Sequence, residues 1–285
     1  MIEVIIASAL RRSTPLVLAS LGAVYSERSG VVNIGLEGIM LMGAFVSVVA
    51  SNAFGPLTGV MLAVMAGMAL AALHALATVT FKADQIVSGV AINLLGMGVT
   101  AFIPEALLGM TDVRSSYSAT LFLGLTPLVY VALALVPLSH FLIFHTVFGL
   151  RLRSVGENPR SADSLGINVD AMRYLGVIIS GALAALGGAY LALEQSGGFT
   201  KNMVAGRGFI ALAAMIFGNW SPFGALGASL LFGFADSAQT IVQTMGYTIP
   251  PQAIQALPYI LTIVVLVLAV RRVKMPEADG KPYIR

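Results

Sequence analysis

The chain has 285 residues, 58% of them hydrophobic and only 10% charged, with a formal net charge of +3 and a mean hydropathy of +0.90. A soluble domain carries about 25% charged residues, so this composition excludes an ordinary soluble core and predicts one polytopic membrane domain with no sizeable soluble partner domain. There is no cysteine, which removes disulfides, thiolate metal sites and cysteine nucleophiles. The small positive charge reads as loop asymmetry, with no nucleic-acid partner implied.

In chain order, residues 1–12 are a short apolar start closed by Arg11 and Arg12. These cations follow the apolar stretch rather than precede it, so no cleavable signal peptide is expected. Thr14–Tyr25 is apolar and ends in the polar knot Ser26–Gly30. Val31–Ala50 is apolar but opens with Asn33, Gly35, Glu37 and Gly38, and Ser51–Pro56 reads as a turn. Leu57–Phe81 is a span interrupted only by His74, and a polar connection, Lys82–Gln85, leads to the span Ile86–Leu108. A polar loop, Gly109–Thr120, follows. Leu121–Val147 is long enough to cross with tilt, and Pro127 and Pro137 are expected to kink it.

Phe148–Arg173 breaks the pattern with Arg151, Arg153, Arg160 and Arg173 set against Glu157, Asp163 and Asp170. It carries the punctuation of a short helix: Asn158 as cap, Pro159 in the first turn, Gly166 as stop. Tyr174–Leu193 spans again, and Glu194–Arg207 is a Gly-rich loop. The 36 residues Gly208–Gln243, interrupted at Asn219–Pro222, read as a pair of crossings or a re-entrant pair. Beyond the loop Gly246–Gln255, the last span, Leu257–Val270, is stopped by Arg271, Arg272 and Lys274. The fold class is therefore all-α and polytopic, with about eight transmembrane helices plus broken or re-entrant segments. Residues 1–275 form a single transmembrane domain and 276–285 a tail.

Placing the C-terminus in the cytoplasm puts eleven Lys and Arg inside and five outside, which the positive-inside rule favours. Phe148–Arg173 is then cytoplasmic and the N-terminus external. An additional re-entrant piece in 1–12 or 31–50 would reverse the N-terminus. A faint repeat at an offset of 166 to 169 positions pairs Leu21–Gly30 with Gly187–Gly197 and Phe54–Leu57 with Phe223–Leu226. Its two copies enter the membrane from opposite sides, as in inverted-repeat transporters.

Ionisable and amide residues inside apolar runs are Glu37, His74, Asn93, Asp236 and Gln239, with Asn33 and Asn219 at the edges. A charge at membrane depth costs on the order of 3 kcal/mol, so such residues face a cavity or a partner. Glu37 lines a pathway or caps the helix that begins at Gly38; both readings stand. Asp236 and Gln239 share a helix face, and His74 reads as a satisfied core histidine. No nucleophile, metal-ligand or phosphate-loop pattern is present. If ATP drives this protein, the ATPase is a separate chain.

The run Phe148-Gly-Leu-Arg-Leu-Arg-Ser-Val-Gly156-Glu157-Asn158-Pro159-Arg160-Ser-Ala162-Asp163-Ser-Leu-Gly166-Ile167 resembles the cytoplasmic loop of ABC permeases for branched-chain amino acids, ribose-type sugars and nucleosides. Ser161 stands where the first of two paired Ala residues is common in that family. Ser26–Gly38, Ala83–Leu94 and Gly206–Ala214 resemble the nucleoside and simple-sugar subgroup, and the likeness runs over roughly residues 10 to 270. The resemblance implies a type II-like importer permease in the cell membrane. Its implied partners are a second, related permease chain, ABC-type ATPase subunits and an extracytoplasmic binding protein or lipoprotein. The chain itself binds no cofactor, ATP and Mg being used by the partner ATPase.

Gly156, Glu157, Asn158, Pro159, Arg160, Ala162, Asp163 and Gly166 would form the helix that couples to that ATPase. Asn33, Glu37, Gln85, Ser88, Asn93, Phe209, Asn219, Asp236 and Gln239 are the candidate pathway residues. Their amides suit a neutral, hydroxyl-bearing solute, a nucleoside ahead of a ribose-type sugar. An ion-coupled secondary transporter ranks lower, because it leaves the capped polar loop unexplained. An intramembrane enzyme or scaffold lacks any paired acid and base.

Overall fold

A computed structural model describes residues 2–108, 112–115, 117, 125–244 and 274–284. The last apolar run, Leu257–Val270, lies outside the described residues. Among the described residues five helices are long and apolar enough to cross a membrane: Leu36–Phe54 (α2), Pro56–Thr80 (α3, whose last five residues form a π-helical turn), Gln85–Ala106 within α4, Pro127–His145 (α5) and Val169–Gln195 (α8, also ending in a π-turn). Two more have the length. The first helix, α1, runs over the 27 residues Ile2–Arg28, and α10 over the 23 residues Pro222–Thr244, about 40 and 35 Å at 1.5 Å per residue.

The shorter elements are β1 (Val113–Arg114), α6 (Val147–Glu157), α7 (Pro159–Ser164), β2 (Gly198–Phe199) and α9 (Arg207–Phe217). The two strands pair antiparallel, Val113 with Phe199 and Arg114 with Gly198. This ribbon marks one end of the bundle, where Asn52 donates to the Arg114 carbonyl. At the other end lie α6, α7, the turn between α9 and α10, and the C-terminal segment.

α8 is the central post, packed against α1, α2 and α3. About 72% of the membrane window of α2 and α8 is buried, against 33% for α3, α4 and α5, so the first two are interior and the last three are peripheral. In a bilayer no hydrophobic force separates helix from lipid, and close backbone approach supplies the packing. Small residues provide it here. A Cβ on Gly67 would strike the Gly181 carbonyl, and one on Gly181 the Gly67 carbonyl. Gly188 sits on the Met40 carbonyl and Gly43 on that of Ala185. α1 runs antiparallel to α8, with Gly187 beside Pro15, Gly22 on Ser180 and Gly176 on Tyr25.

Several boundaries differ from expectation for local reasons. Pro127 does not kink a longer helix; it begins α5 at the first position, where its missing N–H costs nothing, and Pro137 alone lies inside. The apolar run from Val31 is helical only from Leu36, and it continues past Ala50 to Phe54, stopping at Gly55 with φ +91. The 36-residue run resolves into α9 and α10, separated by Asn219 and Trp220 at positive φ. At 11 residues α9 covers only about half of a bilayer core.

Replacing Gly188 by Val drives a side chain into the backbone of α2 and is expected to lower the detergent melting temperature, with a cost of about 1–3 kcal/mol. Gly98→Val, where nothing lies within 4 Å of the new Cβ, is the matched control and leaves the melt unchanged. Size-exclusion thermostability of both variants tests this.

Candidate functional site

Between α1 and α2 the chain is not helical, and its peptide groups lie among apolar helices. Side chains from α3 and α4 serve them. Gln85 Oε1 accepts from the Val32 N–H at 2.7 Å, and Asn93 Oδ1 accepts from the Gly38 N–H at 2.8 Å. Asn93 Nδ2 donates to the Ile34 carbonyl at 3.0 Å. His74 Nε2 stands 3.0 Å from the Val32 carbonyl, which can only accept, so this nitrogen carries a proton; Nδ1 meets Ser88 Oγ at 2.8 Å. Asn33 Nδ2 donates to Ser180 on α8. His74 and Asn33 are fully buried.

Glu37 does something the sequence did not indicate. It lies in the first turn of α2, yet its carboxylate caps another helix. Oε1 accepts from the Gly206 N–H and Oε2 from the Gly208 N–H, both at 2.7 Å. These are orphan donors of the α9 N-terminus, where the helix dipole also favours negative charge. Gly206 adopts φ +85, and a Cβ at Gly208 would run into the Glu37 backbone.

Asn33, Glu37, Gln85, Ser88 and Asn93 are thus brought together, each bonded within the chain. Phe209 is adjacent on α9 and half exposed. Asn219 lies apart, at the loop end, accepting from the Lys274 N–H. Asp236 pairs with Arg12 at 2.7 Å between α10 and α1. The side chain of Gln239 lies outside the described residues.

The loop is a succession of caps. Thr146 accepts from the Gly149 N–H at the start of α6, Asn158 from the Ser161 N–H at the start of α7, and Asn168 from the Ala171 N–H at the start of α8. Pro159 takes the first position of α7, and Gly166 (φ +79) follows its end. Gly156 and Ala162 face inward. Gly156 abuts the Arg28 carbonyl, and Ala162 packs with Val155, Val169 and Tyr283. Glu157, Asn158, Arg160, Ser161, Ser164 and Gly166 face out, and Leu165 is 80% exposed. Grooves of about 770 and 900 Å³ flank α7, with Lys82 and Asp170 at the rim of one and Glu157 and Arg160 at the rim of the other.

Residues absent from the candidate set also meet here. The C-terminal segment lies beneath α7, with Ala278 N–H donating to the Gly156 carbonyl and Tyr283 Oη to Asp163. Arg173, only 1% exposed, donates to the Lys281 carbonyl. Trp220 Nε1 donates to Glu27 Oε2 at 2.6 Å, and Asp279 lies against Glu27. Burial pushes the Asp279 carboxyl up to about 7, against the opposing pull of Glu27, the Gly280 N–H and Arg173. The polar knot at Ser26–Gly30 was the only sequence sign of this cluster. Among the described residues no group of His, Asp and Glu could hold a metal ion.

A bundle of apolar helices of spanning length, with polar breaks and a capped loop, is the build of an integral membrane protein. Residues 5–270 match the family described as branched-chain amino acid transport system / permease component, and the chain belongs to that family of non-catalytic, multi-pass cell-membrane permease subunits. It is 44% identical to the guanosine ABC transporter permease protein NupQ of Bacillus subtilis (strain 168), covering 100% of this chain and 97% of the relative. To the nucleoside ABC transporter permease protein NupC of Lactococcus lactis subsp. cremoris (strain MG1363) it is 41% identical, over 100% and 98%. A putative glucose ABC transporter permease protein, TsgC13, of Haloferax volcanii is 34% identical over 97% and 96%. No solved structure matches.

Two outcomes test this geometry. Glu37→Ala strands two N–H groups at the α9 N-terminus and is expected to destabilise the protein by about 2–3 kcal/mol, more than Glu37→Gln, which keeps one acceptor; thermal melts of the two variants check the order. Asp279 holds its proton when buried up to pH about 7, whereas a free Asp loses it near 3.9. The docked state therefore binds the extra proton, so docking of the tail is strongest in acid, weakens as pH rises from about 4 to 7, and is level above that. Hydrogen exchange of residues 276–284 against pH reads this out, and Asp279→Asn flattens the profile.

Proposed function

We propose that the chain is the membrane-spanning subunit of an ATP-driven importer of nucleosides and that α7 is the helix through which the ATPase drives it. The single observation carrying the solute is the likeness to the guanosine and nucleoside permeases over the full chain. The putative glucose permease keeps ribose-type sugars as the second reading. Ion coupling is disfavoured by the way two carboxylates set among the helices are already bonded. Glu37 is committed to N–H donors and Asp236 to Arg12, an arrangement that binds no travelling cation.

The loop end is taken as cytoplasmic, in line with the Lys and Arg distribution. About eight full crossings plus the α9 half-crossing then put the C-terminus inside. An inverted repeat is supported by α1 and Val169–Gln195, 27 residues each and antiparallel, and by α3 and α10, each opened by a proline.

In the working complex, two permease chains, the second a related paralogue, carry two ATPase subunits and receive solute from an extracytoplasmic binding protein or lipoprotein. Gly156, Glu157, Asn158, Pro159, Arg160, Ala162, Asp163 and Gly166 make the coupling element. Gly156 and Ala162 seat it, Asn158, Pro159 and Gly166 shape it, and Glu157, Arg160 and the exposed Leu165 meet the ATPase. ATP closes the ATPase pair and biases the permease between outward- and inward-facing states. The path runs along the exposed Phe209 face of α9. Asn33, Glu37, Gln85, Ser88 and Asn93 fix the broken backbone behind it, with Asn219, Asp236 and Gln239 at its margins.

Proteoliposomes holding the permease pair, ATPase and binding protein are expected to take up guanosine or uridine in preference to ribose; preferred uptake of ribose would replace the nucleoside assignment. Leu165→Asp, which does not touch the core, is expected to weaken ATPase binding and uptake together by about tenfold, equivalent to 1.4 kcal/mol. Pull-down and uptake on the same preparation measure it.

A further inference from the structure

We infer that the C-terminal segment 274–284 is a strap that joins α7 to the ends of α1 and α9, so that a displacement of α7 reaches the half-helix α9, with Asp279 and Tyr283 as its positioning residues. The inference rests on the reading of α7 as the coupling helix and adds the route by which its motion enters the membrane.

α7 alone is poorly joined to the bundle. It has six residues, one of them buried, and lies between two breaks, Asn158 at φ −145 and Gly166 at φ +79. A push on such an element is absorbed by rotation at the breaks unless something holds it from the side. The segment 274–284 does so at five places. Tyr283 Oη donates to Asp163 of α7 at 3.0 Å. The Ala278 N–H donates to the Gly156 carbonyl of α6 at 2.9 Å. Arg173 of α8 donates to the Lys281 carbonyl at 3.0 Å. The Lys274 N–H donates to Asn219, in the turn after α9, at 2.9 Å. Asp279 lies against Glu27 of α1.

From Glu27 the connection continues without a gap. Its carboxylate holds Trp220 Nε1 at 2.6 Å, and Arg28 Nε donates to the Trp220 carbonyl at 2.8 Å. Trp220 is buried and lies three residues past the end of α9, its N–H donating back to the Met215 carbonyl of that helix. The far end of α9 is the end capped by Glu37. The route therefore runs from Asp163 through Tyr283, the strap, Asp279, Glu27 and Trp220 to α9 and the Phe209 face. Every link is a hydrogen bond or a buried contact, and the hydrogen-bond partners in the strap's anchorage lie 120 residues away for Tyr283 and 55 for Lys274.

The test uses the assembled transporter in proteoliposomes and reads ATP hydrolysed per solute imported, a ratio that simple loss of stability does not raise. Tyr283→Phe, which removes the hydrogen bond to Asp163, is expected to leave ATPase co-purification and hydrolysis intact while raising this ratio about fivefold, the size of one lost hydrogen bond. Asp279→Ala, which empties the buried place beside Glu27, is expected to raise it in the same direction. Removal of residues 276–285 should raise it further. The chain has no cysteine, so a second arm is clean: Asp163→Cys with Tyr283→Cys should be poorly coupled when reduced and recover when a short bis-maleimide joins the two thiols. A wild-type ratio in Tyr283→Phe and in the truncated chain overturns the strap. Loss of ATPase binding in these variants also overturns it, making the segment a docking surface instead. Failure of the coupling-helix reading is distinguishable, since Leu165→Asp would then retain both ATPase binding and uptake.

Discussion

Peptide groups cannot be left unbonded in an apolar slab, and that requirement organises this molecule. Helices satisfy it by themselves; the breaks do not. At 29–35 and again just before α9 the backbone leaves helical geometry, and side chains must take over. Gln85, Asn93 and His74 serve the first break from the flanking helices, and Glu37 serves the second from the first turn of α2. Glu37 therefore fixes two segments at once: the helix it belongs to and the one it caps. The breaks, in turn, are what permit a half-helix to exist beside full crossings.

Around these breaks the bundle divides into a tight part and a loose part. α1, α2, α3 and α8 meet through glycine-lined contacts with backbone against backbone. α4 and α5 present large side chains such as Val87, Leu94, Phe102 and Phe141 outward. The tight part reaches the loop end at Arg28, where Gly156 of α6 rests on its carbonyl. On the proposed reading of α7 as the coupling helix, motion entering there would meet a glycine-packed group of helices and one short, separately capped element, α9.

What could be read from sequence depended on distance along the chain. Caps are local. Asn158, Pro159 and Gly166 predicted α7 because their partners lie within three residues. Apolar length likewise gave the peripheral spans. Pro127 misled because a proline within an apolar run looks the same whether it kinks a helix or begins one. The polar residues of the spans were legible as a set, but an amide facing a solute and an amide facing a broken peptide leave the same mark in sequence. Only the fold shows Glu37 beside Gly206, 169 residues away. The C-terminal segment was the largest gap: its partners are Glu27, Gly156, Asp163, Arg173 and Asn219, and nothing near residue 280 names them.

The mutual contact of Gly67 and Gly181 has a consequence for how such a chain can change over generations. Each lacks a side chain because the other's carbonyl occupies the place, so neither can be enlarged while the other stays. A compensating change would have to move a whole helix, which several other contacts forbid. α3 and α8 are therefore bound to a shared history, whereas the outward residues of α4, such as Val87 and Phe102, meet no such constraint among the described residues.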